Sequence, residues 1–422
     1  MERGNGEAIL NPLSARHGRL RRSNGWANAG KVLLTGVIVL ALSGISVAAY
    51  AVWGLASDLK TVDLVVSEEE QEALDAVAAG SQSLDGALTI LLVGSDSREE
   101  GSEFNDGETG ELNDVNLLLH ISADHQNATV VSFPRDLMVP IPSCPSPDGG
   151  YYSAMSEQML NTALSYGGLP CVALTIENLT GLHIPYAGLI TFDGVVGISN
   201  AIGGVTVCLT EPIFDEYTGL DLAPGDNTLA GGVALQFLRT RHGVGNGGDV
   251  SRISNQQIFM SALVRQLQSS DTLGNPVKVY GLAKAGIQNM TLSSNMATVQ
   301  FMQALAGTVK DIDLERINFV QYPSFSHPYE AGRLTPDYAS AQLLFDVLAS
   351  GQPFEVTGRG EAVVDTSAPA EVPAEVPAED VPAEEAPVEE TEAPPSGPVK
   401  LPENITGQSA ANQTCSAGRT TY

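Results

Sequence analysis

The sequence predicts an α/β layered domain set behind a single transmembrane helix, and three features of it carry that reading. An uncharged stretch runs for 25 residues from Val32 to Ala56. Compact Val/Ile/Leu runs then alternate with helical periodicity from Ala87 to about residue 355. Beyond Gly358 the composition turns to a near-repeat of Pro, Ala and Glu.

Taken in order, residues 1–31 carry Arg3, Arg16, Arg19, Arg21, Arg22 and Lys31 and read as a cytoplasmic segment, because cations stay on the inner side of a membrane. Residues 32–56, at about 1.5 Å per helical residue, are long enough for a hydrocarbon core of roughly 30 Å. The run exceeds the usual core of a signal peptide, so an uncleaved, single-pass anchor in the cell membrane is expected, with everything after Ala56 outside. Residues 57–86 read as an extracellular stalk, a short extended piece and then a modest helix whose N-terminal dipole Glu68-Glu69-Glu70 suit. The runs ALTILLV (87–93), VNLLLHI (115–121), ATVVSF (128–133) and VTVCL (205–209) suit strands buried on both faces. Helices are expected near Met155–Tyr166, Val172–Thr180, Phe192–Ile202 and Ser251–Gln268, with further ones at 298–305 and 339–349. Residues 356–422 read as a disordered tail that buries too little apolar surface to offset chain entropy.

Composition narrows the function. A net charge of −29 opposes any sequence-independent grip on nucleic acid. The four cysteines include no CxxC pair, and there is no HExxH, no GxSxG and no GxxxxGK[ST]. His120 lies in a buried run and reads as a core residue. His242, beside Arg241, is the histidine placed to reach a substrate.

The arginines are more informative. No lysine occurs between Lys60 and Lys278, and the basic side chains there, histidines aside, are Arg98, Arg135, Arg239, Arg241, Arg252 and Arg265. Arginine's planar fork matches phosphate oxygens bidentately. Arg98 follows a strand in LLVGSDSRE, and Arg135 follows another in VVSFPRDLM, which is where α/β sheets place their sites. Arg239 and Arg241 are two apart, while Arg252 and Gln256 are four apart on a helix for which Asp249 reads as the N-cap. Asp96 and Asp114, at the end of one strand and the start of another, form a candidate pair of Mg2+ ligands sharing the ion with a pyrophosphate.

Together GSDSR, Asp114 before VNLLLHI, SFPRD, LNTALSYGG and LRTRHGVGNGGDVSR with Gln256 resemble the LytR-CpsA-Psr family over about residues 87–270. The resemblance implies a three-layer α-β-α sandwich with a central mixed sheet. It also implies an Mg2+-dependent phosphotransferase of Gram-positive cell walls that moves a glycopolymer from a polyprenyl-pyrophosphate carrier to peptidoglycan. Carried over by motif, Asp96 and Asp114 would bind Mg2+, with either as the base. Arg98, Arg135, Arg239, Arg241, Arg252 and Gln256 would hold the pyrophosphate, Arg135 acting catalytically, and Asp249 would position Arg252. Leu112, Met159 and Asn255 stand where the family usually has cations. A pyrophosphate hydrolase and a non-catalytic lipid-binding or regulatory wall protein are the alternatives. In an exported chain Cys144 and Cys171 are expected to pair. Cys208 reads as a buried thiol, and Cys415 has no assigned role.

Overall fold

The computed structural model describes residues 59–64, 84–97, 111–146, 148–269, 276–365 and 398–419, together with residues 26, 30, 31, 33–36 and 43. The chain divides into two compact units, Met1–Gly54 and Leu55–Tyr422. In the first, the described residues are helical. Of the expected transmembrane run, residues 33–36 and 43 are described and the rest lies outside the described residues. Among those described, no helix is long and apolar enough to cross a membrane.

The second unit opens with β1 (Lys60–Val62), β2 (Leu88–Ser95), β3 (Asn113–Ile121), β4 (Ala128–Phe133), β5 (Met138–Ile141) and β6 (Met155–Met159). Then come α1 (Ala163–Thr180), β7 (Tyr186–Ile190), α2 (Phe192–Ala201), β8 (Val205–Leu209), β9 (Ile213–Asp215), β10 (Leu220–Leu222) and β11 (Gly225–Leu229). Next are α3 (Gly231–Arg239), α4 (Asp249–Gln268), α5 (Pro276–Asn289), β12 (Met290–Ser293), α6 (Val299–Lys310) and β13 (Ile317–Gln321). The chain closes with β14 (Ser324–Ser326), β15 (Leu334–Pro336), α7 (Tyr338–Ser350), β16 (Val363–Asp365), β17 (Gly407–Ser409) and β18 (Thr414–Ser416).

The central sheet has eight strands in the order β1-β12-β7-β2-β3-β4-β13-β17. It is mixed: β2 runs antiparallel to β3 and parallel to β7, and β4 runs antiparallel to β3 and parallel to β13. Successive side chains of a strand point to opposite faces. Along β2, Leu91 and Val93 therefore enter one core cluster while Leu88, Ile90 and Leu92 enter another. The first face is covered by α1 through Leu164, Val172 and Ile176 and by α7 through Leu344 and Phe345. The second is covered by α6 through Phe301 and Leu305 and by the Met260 and Val264 positions of α4. Burial on both sides explains why these strands read as continuous apolar runs. A third cluster, including Val205, Val207, Phe237 and Phe259, packs α3 and α4 on a four-stranded sheet ordered β11-β8-β18-β16.

Cys144 and Cys171 are bonded and tie the loop after β5 to α1. The chain must come close there: a Cβ on Gly167 would lie 2.8 Å from the Pro145 carbonyl oxygen and 2.9 Å from the Cys144 Cβ. α1 kinks at that point, with Gly168 at a φ of 66°.

Four expectations need correction. Residues Met155–Met159 form a strand, since pairing with β5 outweighs the modest helix preference of MSEQM. Residues 60–62, the extended piece of the expected stalk, belong to the central sheet and pair with β12, and the expected stalk helix lies outside the described residues. The expected disordered tail, 356–422, contains folded residues 398–419: β17 closes the sheet beside β13, β18 lies between β8 and β16, and Leu401, Ile405 and Ala410 are buried. Averaging over the Pro/Ala/Glu repeat hid this short apolar return. For the same reason Cys208 is no thiol, because Cys415 on the returning strand is bonded to it.

Candidate functional site

The site forms where β2 and β4 end and β3 begins, beside the N-terminal turns of α4. Ser95 on β2 is followed by Asp96, whose carboxylate Oδ1 accepts the Leu112 backbone N–H at 2.7 Å. That bond ties the end of β2 to the residue leading into β3. Arg98 lies outside the described residues. One residue into β3, Asp114 accepts from the Arg135 guanidinium at 2.7 Å. The Arg135 backbone N–H in turn donates to Asp249 Oδ2 at 3.2 Å.

From α4, Arg252 approaches the same point, almost wholly buried. It donates to the Asp114 carbonyl at 2.9 Å and pairs with Asp249 at 2.6 Å. The N-cap of α4 is Gly248, not Asp249, which is the first helical residue and spends its carboxylate on the two arginines. Gln256, one turn farther on, donates to the Leu238 carbonyl at 2.9 Å. Arg241 approaches Asp136 at 3.6 Å, and Arg333, unmarked by any motif, reaches the other oxygen of Asp136 at 2.6 Å. The guanidinium of Arg239 stands 4.4 Å from the centroid of the Phe192 ring.

Asp215 fixes the turn that presents Arg241. Its Oδ2 accepts from the Thr240 hydroxyl at 2.6 Å and from the Arg241 and His242 backbone N–H groups at 3.2 Å each. Burial works against its charge, but hydrogen bonds from the Thr240 hydroxyl and from the Tyr217 and Arg241 N–H groups outweigh burial and hold its pKa below the ordinary aspartate value.

The electrostatics are unbalanced. Arg135, Arg241, Arg252 and Arg333 face Asp114, Asp136 and Asp249. The Nε donors of Arg135, Arg241 and Arg252 are buried and have no hydrogen-bond partner among the described residues. Burial pushes the pKa of Arg241 down, and the positive charges of Arg135 and Arg252 push it further. For Arg135 burial acts in the same direction, yet the neighbouring carboxylates, Asp114 foremost, raise it overall. Buried donors without acceptors are rare in folded proteins, so this cluster has the character of an anion receptor.

Against it lies a cavity of about 270 Å³ whose wall includes Asp114, Arg239, Arg252 and Gln256 at one side and is otherwise overwhelmingly apolar, with Val115, Phe192, Ile198 and Leu263 among its lining. The arrangement can hold a molecule with a charged head and a hydrocarbon chain. As for a metal, among the described residues no group of three or more His, Cys, Asp or Glu side chains could hold an ion. Asp96, just past the end of β2, and Asp114, on β3, fit only a hard cation that takes its remaining oxygens from substrate or water.

Of the residues singled out from sequence, Asp114, Arg135, Arg239, Arg241, Arg252 and Gln256 are brought together, and Asp96 adjoins them. Asn255 is turned away from the cluster: it donates to the Phe237 carbonyl and accepts from the Ser416 hydroxyl. Asp136 was legible from sequence as an acidic companion of the arginines but without a role, and Arg333, Asp215 and Phe192 are the site residues that the sequence did not mark. The SFPRD motif held the one available signal, for Asp136. His242 is exposed, its ring 4.5 Å from that of Tyr217.

The LytR_cpsA_psr family model matches residues 55–336. A cell wall biosynthesis protein, LcpA, of Corynebacterium glutamicum is 30% identical over 275 residues, 56% of this chain and 53% of its own length. The chain thus spans about half the length of that relative. A polyisoprenyl-teichoic acid–peptidoglycan teichoic acid transferase, TagU, of Enterococcus faecalis is 23% identical over 68% of this chain and 86% of its own. Among solved structures, a LytR-Csp2A-Psr enzyme from Actinomyces oris superposes with a TM-score of 0.51 at 20% identity, over 69% of this chain and 96% of that one. It shares the mixed α/β fold.

Proposed function

The chain belongs to the LytR-CpsA-Psr family, and from that premise we propose that it transfers a glycopolymer from a polyprenyl-pyrophosphate carrier to peptidoglycan. The observation that carries the reading is the set of three buried Nε donors that have no hydrogen-bond partner among the described residues, beside a cavity walled by hydrocarbon. A diphosphate supplies the missing acceptors, and a polyprenyl chain fills the cavity. The names of relatives such as TagU point to the same pairing of lipid-linked glycan and wall acceptor.

The chemistry follows from charge and position. Arg135, Arg241 and Arg252 grip the diphosphate oxygens, with Arg239 at the cavity wall. An acceptor hydroxyl of the wall attacks the phosphorus bearing the glycan. The bond from that phosphorus to the bridging oxygen breaks, polyprenyl phosphate departs, and the hydroxyl proton passes to Asp96 or Asp114. Fixed guanidinium charges stabilise the oxygens on which negative charge builds up, which is where most catalysis of phosphoryl transfer originates. Mg2+ held between Asp96, Asp114 and the substrate would neutralise diphosphate charge. The uncharged run at 32–56 would serve as the anchor that keeps this site on the outer side of the membrane.

Replacement of Arg241 by Ala tests the reading, because this half-exposed side chain can be removed with the fold intact. Each charge-assisted hydrogen bond contributes about 1.5–3 kcal/mol. Transfer of glycan from a lipid-linked donor to peptidoglycan fragments is expected to fall roughly 10- to 100-fold. A native rate in the variant would refute it, and product captured by water alone would replace transferase with hydrolase.

A further inference from the structure

Beside the arginine cluster, and apart from the apolar cavity, the β9–β10 hairpin carries two large aromatic side chains in the open. Phe214 is 66% exposed and Tyr217 is 76% exposed. The ring of Tyr217 lies 4.5 Å from that of His242 with an interplanar angle of 39°, so His242 packs tilted against the Tyr217 ring and backs it, and Tyr217 stays open to solvent. The backbone carbonyl of Phe214 packs within 3.1 Å of the point where Gly243 would carry a Cβ, which holds the hairpin tightly against the turn after Arg241.

A single carboxylate joins this surface to the cluster. While Asp215 Oδ2 binds the 240–242 turn, its Oδ1 accepts the Tyr217 backbone N–H at 3.0 Å. The side chain is buried, 2% exposed, and so serves as an internal brace and not as a surface charge. The aromatic surface and Arg241 are therefore fixed relative to each other.

We propose that Tyr217, backed by His242, forms a stacking subsite for a neutral pyranose ring of the glycan, a reading that rests on the pyrophosphate site described above. Large aromatic groups left in water on a rigid hairpin mark a binding surface. The electron-rich face of such a ring attracts the polarised C–H groups of a sugar, much as it attracts other positive edges. Charge selects among the occupants. From Glu211 to Asp226 the hairpin region has Glu211, Asp215, Glu216, Asp221 and Asp226 and no Lys or Arg. Glu216 and Asp221 are exposed there and can accept sugar hydroxyls, but they repel a phosphate-rich chain or an anionic lipid surface. With the prenyl chain in the cavity and the diphosphate on the arginines, the sugars have to leave on a side away from the cavity. The hairpin, held one residue from Arg241, offers them a surface.

Calorimetric binding of two probes separates this proposal from its premise. One probe is a short-chain polyprenyl pyrophosphate, and the other is the same lipid bearing a single neutral N-acetylhexosamine. The native protein is expected to bind the glycosylated probe more tightly. Tyr217→Ala is expected to weaken that probe about tenfold while leaving the bare lipid within twofold, and Tyr217→Phe is expected to keep the native preference. Equal affinities of native and Tyr217→Ala protein for the glycosylated probe would overturn the subsite and leave the premise standing. Failure of the native protein to bind either probe would overturn both.

Discussion

Helix α4 carries two arginines in contrasting surroundings. Near its start, Arg252 is buried against Asp249 and the Asp114 carbonyl, yet its Nε has no partner among the described residues. Near its end, Arg265 donates to the carbonyls of Ala410 at 2.6 Å and Asn412 at 3.1 Å, both on the returning C-terminal segment. Burial lowers the pKa of Arg265, and no charged neighbour contributes. The difference lies in where the acceptors come from. Arg265 is supplied by the chain and fastens one part of the fold to another. Arg252 belongs to a set short of acceptors among the described residues, and on the function proposed above a diphosphate completes it.

The sharpest way to break this contrast is to remove each arginine in turn. Arg252→Gln is expected to lower glycan transfer by at least about 100-fold, and Arg265→Ala to leave the rate per folded molecule within about threefold while lowering stability by roughly 2–3 kcal/mol. Paired kinetic and denaturant measurements decide it; if Arg265→Ala reduced transfer as deeply as Arg252→Gln, the two ends of α4 would not be different in kind.

A second test sharpens the structural half. The Cys208–Cys415 bond spans a sequence separation of 207, the Cys144–Cys171 bond one of 27. On loop-closure entropy the longer loop is worth more, about 5 kcal/mol against about 3.5. Cys208→Ala with Cys415→Ala should therefore lower stability more than Cys144→Ala with Cys171→Ala, as read from denaturant midpoints. The reverse order would mean that the C-terminal segment is held by its strand pairing and not by the bond.

The smallest expected effect concerns Asp215. Its pKa lies below the ordinary 3.8, so it stabilises the fold above that value, and the contribution is lost as pH falls through the lower folded-state pKa. Asp215→Asn should be less stable than the native protein at neutral pH and should show a flatter loss of stability in acid. Parallel acid unfolding curves for the two would remove Asp215 from the role of brace.

Much of the architecture was legible before any coordinates. The apolar runs at 87–93, 115–121 and 128–133 coincide with strands of the central sheet, where burial on both faces favours continuous hydrophobicity, whereas the run at 205–209 is a strand that alternates, with Thr206 exposed. The motif arginines were legible because a lysine-free stretch makes each guanidinium conspicuous. What escaped were partners set by long-range topology. Arg333 meets Asp136 across 197 positions, and Cys415 meets Cys208 only because β18 inserts beside β8. No local pattern records either meeting. Met155–Met159 was misread because five residues of mixed propensity take their conformation from the strand they pair with.

The return of the chain at Val399–Lys400 beside Phe354–Glu355, and of β18 beside β16, makes the last described segment a structural member of the domain. Residues 354–365 and 398–419 are stitched to each other and to the two sheets they join, so the domain is closed by its own terminus and removing that terminus would strip a strand from each sheet.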